Sequence, residues 1–281
     1  MLKHKNFLLV LLITLFLSGC SSKIPTHEQR MQTANNIITT DMLRKTYTTN
    51  FFNLLTYSSS LATCQNKQTN VYIEGDGLAW VSSSMISDDP TPINPVSLEM
   101  FMQDDVACKL YIARPCQYVN SGQCNKKYWT SHRFSTKVIE SYNETLDAVK
   151  EEYKLNRFNV IGYSGGGAIA AIIAAKRNDI NKLVTVAGNI DTDFWTKKHH
   201  ITPLHGSLNP ADFSDRLKNV KQYHFIGGKD KIIDKSIFES YIKKFKNIEN
   251  IKFKIVEGFT HNCCWSEGWK ELKSSINKTR K

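Results

Sequence analysis

The sequence predicts an α/β fold in which helices cover both faces of a mostly parallel sheet. Three observations carry this expectation. Short β-branched segments alternate with helical ones along most of the chain, the pattern of parallel strands joined by crossover helices. A hydrophobic strand near 157–161 enters a glycine-rich turn and leaves as a small-residue helix. The 281 residues, 41% hydrophobic and 22% charged, supply a large core and exclude a disordered or fibrous chain.

The first twenty residues stand apart from that fold. Lys3 and Lys5 precede an apolar run over 7–17, and Ser18 and Gly19 follow it, as in a secretory leader too short to span a membrane comfortably. The segment Leu17-Ser18-Gly19-Cys20 resembles a bacterial lipobox, in which the Cys20 thiol takes a lipid as a thioether and cleavage leaves it at the N-terminus. Two or three acyl chains hold a protein on a bilayer where one binds only marginally. Ser21 is not the aspartate associated with inner-membrane retention, so export to an outer membrane is expected where the cell has one. The net charge is +11, and removing residues 1–19 with their two lysines leaves 262 residues at +9. That excess is spread thinly, without aromatic-interleaved basic stretches or zinc-finger spacing, so nucleic acid is not an expected partner.

With Cys20 lipidated, six cysteines remain, an even number suited to disulfides in an exported chain. Cys116 and Cys124 bracket a short polar loop and form the favoured pair. Cys263 and Cys264 are adjacent, and a vicinal bond demands unusual geometry, so each is expected to reach a separate partner, Cys64 or Cys108. No pair has Cys-x-x-Cys spacing, and no metal is expected.

The elements then follow in order. Residues 27–42 have helical periodicity, and 46–57 read as one or two strands. A polar turn at 66–70 precedes a strand at 71–73, and the proline-bearing stretch 87–95 is a loop. A short helix at 98–102, a strand at 106–112 and a helix at 134–153 come next. Beyond the strand at 157–161 lie a helix at 168–176 and strands at 182–187 and 221–226. A helix at 236–245, a strand at 251–256 and a helix at 266–276 complete the chain. Residues 191–215 break the rhythm and read as a cap over the carboxyl ends of the strands, where such sheets place their sites. The expected organisation is a leader at 1–19, a lipidated tether and helix at 20–44, and one domain over 45–281.

Gly162-Tyr163-Ser164-Gly165-Gly166 is the most informative stretch. A Gly-x-Ser-x-Gly turn between strand and helix raises the serine hydroxyl above the sheet, and Gly162 and Gly166 leave room where a Cβ would clash. The helix N-terminus behind it offers amides and positive potential to developing negative charge. A phosphate-binding turn is the competing reading, but neither a Walker lysine nor a second fingerprint glycine pattern accompanies it, and no cofactor is expected.

From residue 71 onward the chain resembles the α/β-hydrolase superfamily. It is similar, more narrowly, to bacterial α/β-hydrolase-like lipoproteins in Tyr72-Ile73-Glu74-Gly75-Asp76-Gly77, Ala113-Arg114-Pro115-Cys116-Gln117-Tyr118, Trp129-Thr130-Ser131-His132-Arg133-Phe134-Ser135 and Gly206-Ser207-Leu208-Asn209-Pro210. The resemblance implies a serine hydrolase forming an acyl-enzyme at Ser164, with its members' order of serine, acid, histidine. His261 follows the last strand and is the expected base, and Asp230 follows the strand before it as the acid, with Asp234 in reserve. Gly165 and Asp76 are the expected backbone oxyanion donors, with Gly77 next in line. The superfamily commonly has His-Gly-x where this chain has Glu74-Gly75-Asp76. A carboxylate there would repel an oxyanion, so Asp76 is expected to turn away or to pair with a cation, and Arg114, whose fork can grip a carboxylate with two bonds, is the favoured partner. His205, Asp193 and Asp212 lie in the cap segment, within possible reach of substrate.

The expected substrate is a small acyl compound, an ester in the least committed version. An amidase or peptidase is the alternative if the carboxylates of Glu74 and Asp76 face the pocket to receive an amine. A binding or structural lipoprotein on a hydrolase scaffold is the reading from another class, and the intact set of Ser164, Asp230 and His261 weighs against it.

Overall fold

The structure, a computed structural model, describes residues 24–276; the leader, Cys20 and the first residues of the tether lie outside the described range. Helix α1 (His27–Ile37) opens on a capping box between Thr26 and Gln29. The periodicity predicted a helix as far as 42. It ends at Ile37 instead, because Ile37-Ile38-Thr39-Thr40 is a β-branched run that resists helix. Strand β1 (Leu43–Thr48) begins within the segment assigned to the tether and pairs antiparallel with β2 (Asn53–Ser58).

Strand β3 (Gln68–Ile73) takes in three residues expected to form a polar turn. The side-chain amides of two of them are used across the sheet: Asn159 donates to Asn70 at 2.9 Å, and Asn181 to Gln68 at 3.2 Å. Helix α2 (Val96–Gln103) follows the proline-bearing loop. Strand β4 (Lys109–Ile112) is shorter than the expected 106–112, because Asp104 Oδ1 takes the Val106 amide and turns the chain there.

Beyond it run α3 (Thr136–Tyr153), β5 (Arg157–Tyr163), α4 (Gly165–Lys176) and β6 (Ile180–Val186). The segment at 191–215 carries short helices, α5 (Thr192–Lys198) and the start of α6 (Ser214–Leu217). Strand β7 (Lys221–Gly227), α7 (Lys235–Ile242), β8 (Ile251–Val256) and α8 (Trp265–Ile276) finish the fold. The eight strands lie in the order β1-β2-β4-β3-β5-β6-β7-β8, with every pair from β4 to β8 parallel.

The period of two along each strand divides the core. Val71 and Ile73 join the cluster of α3 and α4, while Tyr72 between them joins α2 and α8 on the opposite face. Helix α4 is apolar all round and wholly buried from Gly165 to Ala175, and each of its isoleucines contributes roughly 1.5–3 kcal/mol by burial. On the other face Trp269 donates to the Tyr72 hydroxyl at 2.8 Å, and Tyr72 donates to Asp104, which also pairs with Lys273. No described helix is long and apolar enough to cross a membrane.

The disulfides correct one expectation. Cys116 is bonded to Cys124, but Cys64 is bonded to Cys108 and Cys263 to Cys264. Cys64 follows β2 and Cys108 precedes β4, neighbouring strands, so these two thiols meet with neither free for the C-terminal pair.

Candidate active site

Strand β5 ends in the sheet's centre, and Ser164 caps the turn into α4 with φ 51° and ψ −120°. Such a backbone is rare for a residue with a side chain, and the neighbours hold it there. The Ser164 amide donates to Val186 O at 2.9 Å, and its carbonyl accepts from Gly167 and Asn189. A Cβ on Gly162 would lie 2.1 Å from Gly166 O, and one on Gly166 2.3 Å from Ile73 O. Only glycine fits either place.

His261 stands in the loop between β8 and α8. Its Nε2 lies 2.9 Å from Ser164 Oγ and its Nδ1 2.9 Å from Asp230 Oδ2. The carboxylate facing Nδ1 accepts only, so Nδ1 carries the proton and Nε2 is left to accept from the serine. Asp230 sits in the loop after β7, its side chain fully buried, and Oδ1 accepts the amides of Ile232 and Ile233 at 2.8 Å each. Asp234 is occupied elsewhere: it caps α7 through the Ser236 amide and pairs with Lys198 at 2.6 Å. Tyr163 holds His261, donating to its carbonyl O at 2.8 Å with its ring against the imidazole. Trp265 Nε1 donates to the same carbonyl at 3.0 Å. Neither contact was foreseen, though Tyr163 directly precedes Ser164 and Trp265 lies four residues after His261.

The loop after β3 passes over the serine, and a Cβ on Gly75 would lie 3.5 Å from Ser164 Cβ. Gly77, at φ +65°, is pressed against Pro90 O. Gln117 ties the loop down, donating to Gly75 O at 3.1 Å and accepting the Arg114 amide at 3.1 Å. The Asp76 carboxylate lies against Gly165, where an added Cβ would meet Oδ1 at 2.1 Å.

Asp76 pairs with Arg114, the favoured partner, but through one bond, and Arg133 takes the other oxygen. Arg114 Nη1 gives Asp76 Oδ1 one bond at 2.8 Å, while Nη2 is spent on Arg133 O at 2.7 Å. Arg133 Nη1 supplies the second bond, to Oδ2 at 2.6 Å. Burial pushes the Asp76 carboxyl up, but the two guanidinium charges outweigh it and hold the group below its ordinary range. Two cations on one anion leave this cluster one unit positive.

Glu74 turns the other way. Its buried carboxylate accepts the Gly75, Ser97 and Leu98 amides and the Tyr111 hydroxyl, so it caps α2, whose own N-cap residue is Pro95. Neither carboxylate is therefore free for a substrate amine. His205 is exposed, and among the described residues its side chain makes no hydrogen bond to Ser164, His261 or Asp230. Asp212 accepts from Asn209 at 3.4 Å, and Asp193 O from Thr196, both contacts within the cap segment. Among the described residues no group of three or more His, Cys, Asp or Glu side chains could hold a metal ion.

The sheet order and the strand–turn–helix at Ser164 define an α/β-hydrolase fold of the serine hydrolase class. The family described as serine hydrolase (FSH1) matches residues 14–256, and the chain belongs to it. No curated protein matches the sequence. In fold it is similar to the esterase Pf2001 of Pyrococcus furiosus, at 14% identity over 84% of this chain and 91% of that one, with a TM-score of 0.59. Est1E of Butyrivibrio proteoclasticus is similar at 13% identity, covering 83% and 98% of the two chains with a TM-score of 0.55. An α/β serine hydrolase homologue of Coxiella burnetii is similar at 12% identity, covering 85% and 97% with a TM-score of 0.59.

Proposed function

We propose that this protein hydrolyses a small ester through an acyl-enzyme on Ser164. The observation that carries the reading is the continuous relay from Ser164 Oγ through His261 to Asp230, with 2.9 Å at each step. His261 Nε2 takes the hydroxyl proton as Oγ bonds to the acyl carbon, and the Asp230 carboxylate steadies the imidazolium that forms. The carbonyl oxygen gains the charge and meets the amides of Gly165 and Asp76. His261 then returns the proton to the leaving alkoxide, and water repeats the sequence to release the acid. The engagement of Glu74 and Asp76 supports an ester over a substrate anchored by its amine.

The same reading places the protein in the cell envelope, exported and held by lipid on Cys20. The lipobox-like Leu17-Ser18-Gly19-Cys20 supports this, as does the pairing of all six later cysteines, which suits an oxidising compartment.

A fluorophosphonate probe tests the chemistry. Wild-type protein is expected to label and Ser164→Ala to remain unlabelled; equal labelling of both would end the assignment. Mass spectrometry of the mature N-terminal peptide tests the anchor, and an unmodified Cys20 would overturn it.

A further inference from the structure

Between the oxyanion loop and the proline-bearing loop the chain makes a small hairpin. Val81 donates to Met85 O at 2.8 Å, Trp80 bridges Ile86, and the Ser87 amide closes on Ala79 O at 3.1 Å. Ala79 and Ile86 root it in the core. Trp80, Val81 and Met85 point outward instead, 42%, 39% and 59% exposed. Residues 78–87 contain no charged side chain, in a chain where 22% of residues are charged. An exposed tryptophan among apolar and hydroxyl side chains has the composition that settles at a membrane–water boundary.

The chain's beginning points to what covers this tip. Helix α1 is fastened to the hairpin's base: Arg30 donates to Asp89 O at 3.1 Å and pairs with the Asp89 carboxylate at 2.7 Å, as does His27. Ser87 Oγ donates to Asp89 O at 2.8 Å, so one residue joins helix and hairpin. Cys20 precedes Ile24, the first described residue, by four positions, and four residues reach roughly 14 Å even when fully extended. Ile24 is itself 41% exposed. A lipid on Cys20 therefore keeps the bilayer within reach of this side of the molecule.

We propose that the hairpin at 78–87 docks on the bilayer that holds the Cys20 lipid, with Trp80, Val81 and Met85 in its interfacial layer. The inference rests on the lipid-anchor reading given above. The hairpin leaves the oxyanion loop directly after Gly77, and Leu78 donates to Pro90 O at 3.1 Å. Docking therefore sets that loop and Ser164 close to the lipid surface, where esters dissolved in the bilayer are concentrated.

The test uses the full lipidated protein in phosphatidylethanolamine–phosphatidylglycerol vesicles whose acyl chains are brominated near the carbonyl. Three of the five tryptophans, Trp129, Trp265 and Trp269, are buried in the protein. Bromolipid quenching is thus expected in the wild type and should fall by more than about half in Trp80→Phe. The double variant Val81→Ser, Met85→Ser keeps Trp80 and should lose quenching as well, with fluorophosphonate labelling of Ser164 reporting that it is folded. Equal quenching in wild type and Trp80→Phe, or none in the wild type, overturns the docking. The mass of the N-terminal peptide separates the two ideas. Acylated Cys20 with unquenched Trp80 overturns the hairpin alone, whereas unmodified Cys20 overturns the anchor on which it rests.

Discussion

Arg133 holds the outer carboxylate oxygen of Asp76, Nη1 to Oδ2 at 2.6 Å, and completes a clamp that Arg114 closes only halfway. Both guanidinium groups are nearly buried, at 8% and 4% side-chain exposure, so their charges depend on that one anion. Removing one partner of a buried ion pair strands the other charge in a poor solvent. Asp76→Asn is therefore expected to lower stability by about 3–5 kcal/mol, read from urea unfolding. Arg133→Met should cost less, because Arg114 still answers the carboxylate. An Asp76→Asn midpoint equal to the wild type would contradict the clamp.

The relay makes a second set of predictions. His261→Ala should reduce ester turnover by several orders of magnitude, since the hydroxyl loses its proton acceptor. Asp230→Asn should lower it by about 10⁴ by favouring the wrong imidazole tautomer, the size of loss seen for such a change in a serine protease. Asp234→Asn should leave turnover near wild type, because that carboxylate caps α7 and pairs with Lys198. Rates for the two asparagine variants on one ester decide the matter; collapse of the Asp234 variant alone would transfer the role.

Ser164, Asp230 and His261 were legible in the chain because each follows a strand whose end is marked by glycine or by a turn. Backbone order alone then brings them together. Arg133 was not legible as the partner of Asp76. The two are 57 residues apart, and Arg133 lies in a turn whose direction depends on Thr130 O accepting its Nε at 2.8 Å. Glu74 stood out as a departure from the resemblance, but its task comes from α2, which lacks a capping side chain of its own. Cys116–Cys124 was legible from its short loop, whereas the pairing of Cys64 with Cys108 was missed for a similar reason. Cys64 and Cys108 are brought together by sheet order, since β4 inserts between β2 and β3, and no local spacing encodes that.

The disulfides differ in the loops they close, and so in expected worth. Cys64–Cys108 closes a separation of 44 residues and Cys116–Cys124 one of 8. Chain-entropy reasoning assigns about 4 kcal/mol to the first and about 2.5 kcal/mol to the second. Cys64→Ala with Cys108→Ala should thus lower the unfolding free energy more than Cys116→Ala with Cys124→Ala. Non-reducing peptide mapping should recover both pairs; a Cys64–Cys263 peptide in folded protein would contradict the structure.

Two buried groups set opposite pH trends in stability. Burial pushes the Glu74 carboxyl up to about 7 from an ordinary 4.5, against the amides and hydroxyl that bond it. Above 4.5 the unfolded chain releases this proton while the folded chain keeps it, so stability falls as pH rises toward 7. The full penalty, reached above 7, is about 3 kcal/mol. His224 acts in the other direction. Buried between Thr185 and Gln222, it is held down at about 3 from an ordinary 6.5. The unfolded chain gains that proton as pH falls below 6.5 and the folded chain does not, so stability falls toward acid. Between about 4.5 and 6.5 the two slopes oppose each other and flatten the profile. Glu74→Gln removes the first alone. Relative to the wild type, its unfolding free energy should improve by about 3 kcal/mol from pH 4 to pH 8, measured by urea denaturation at each pH. Parallel profiles for the two proteins would mean that Glu74 titrates alike in both states, and the buried-carboxylate account would fail.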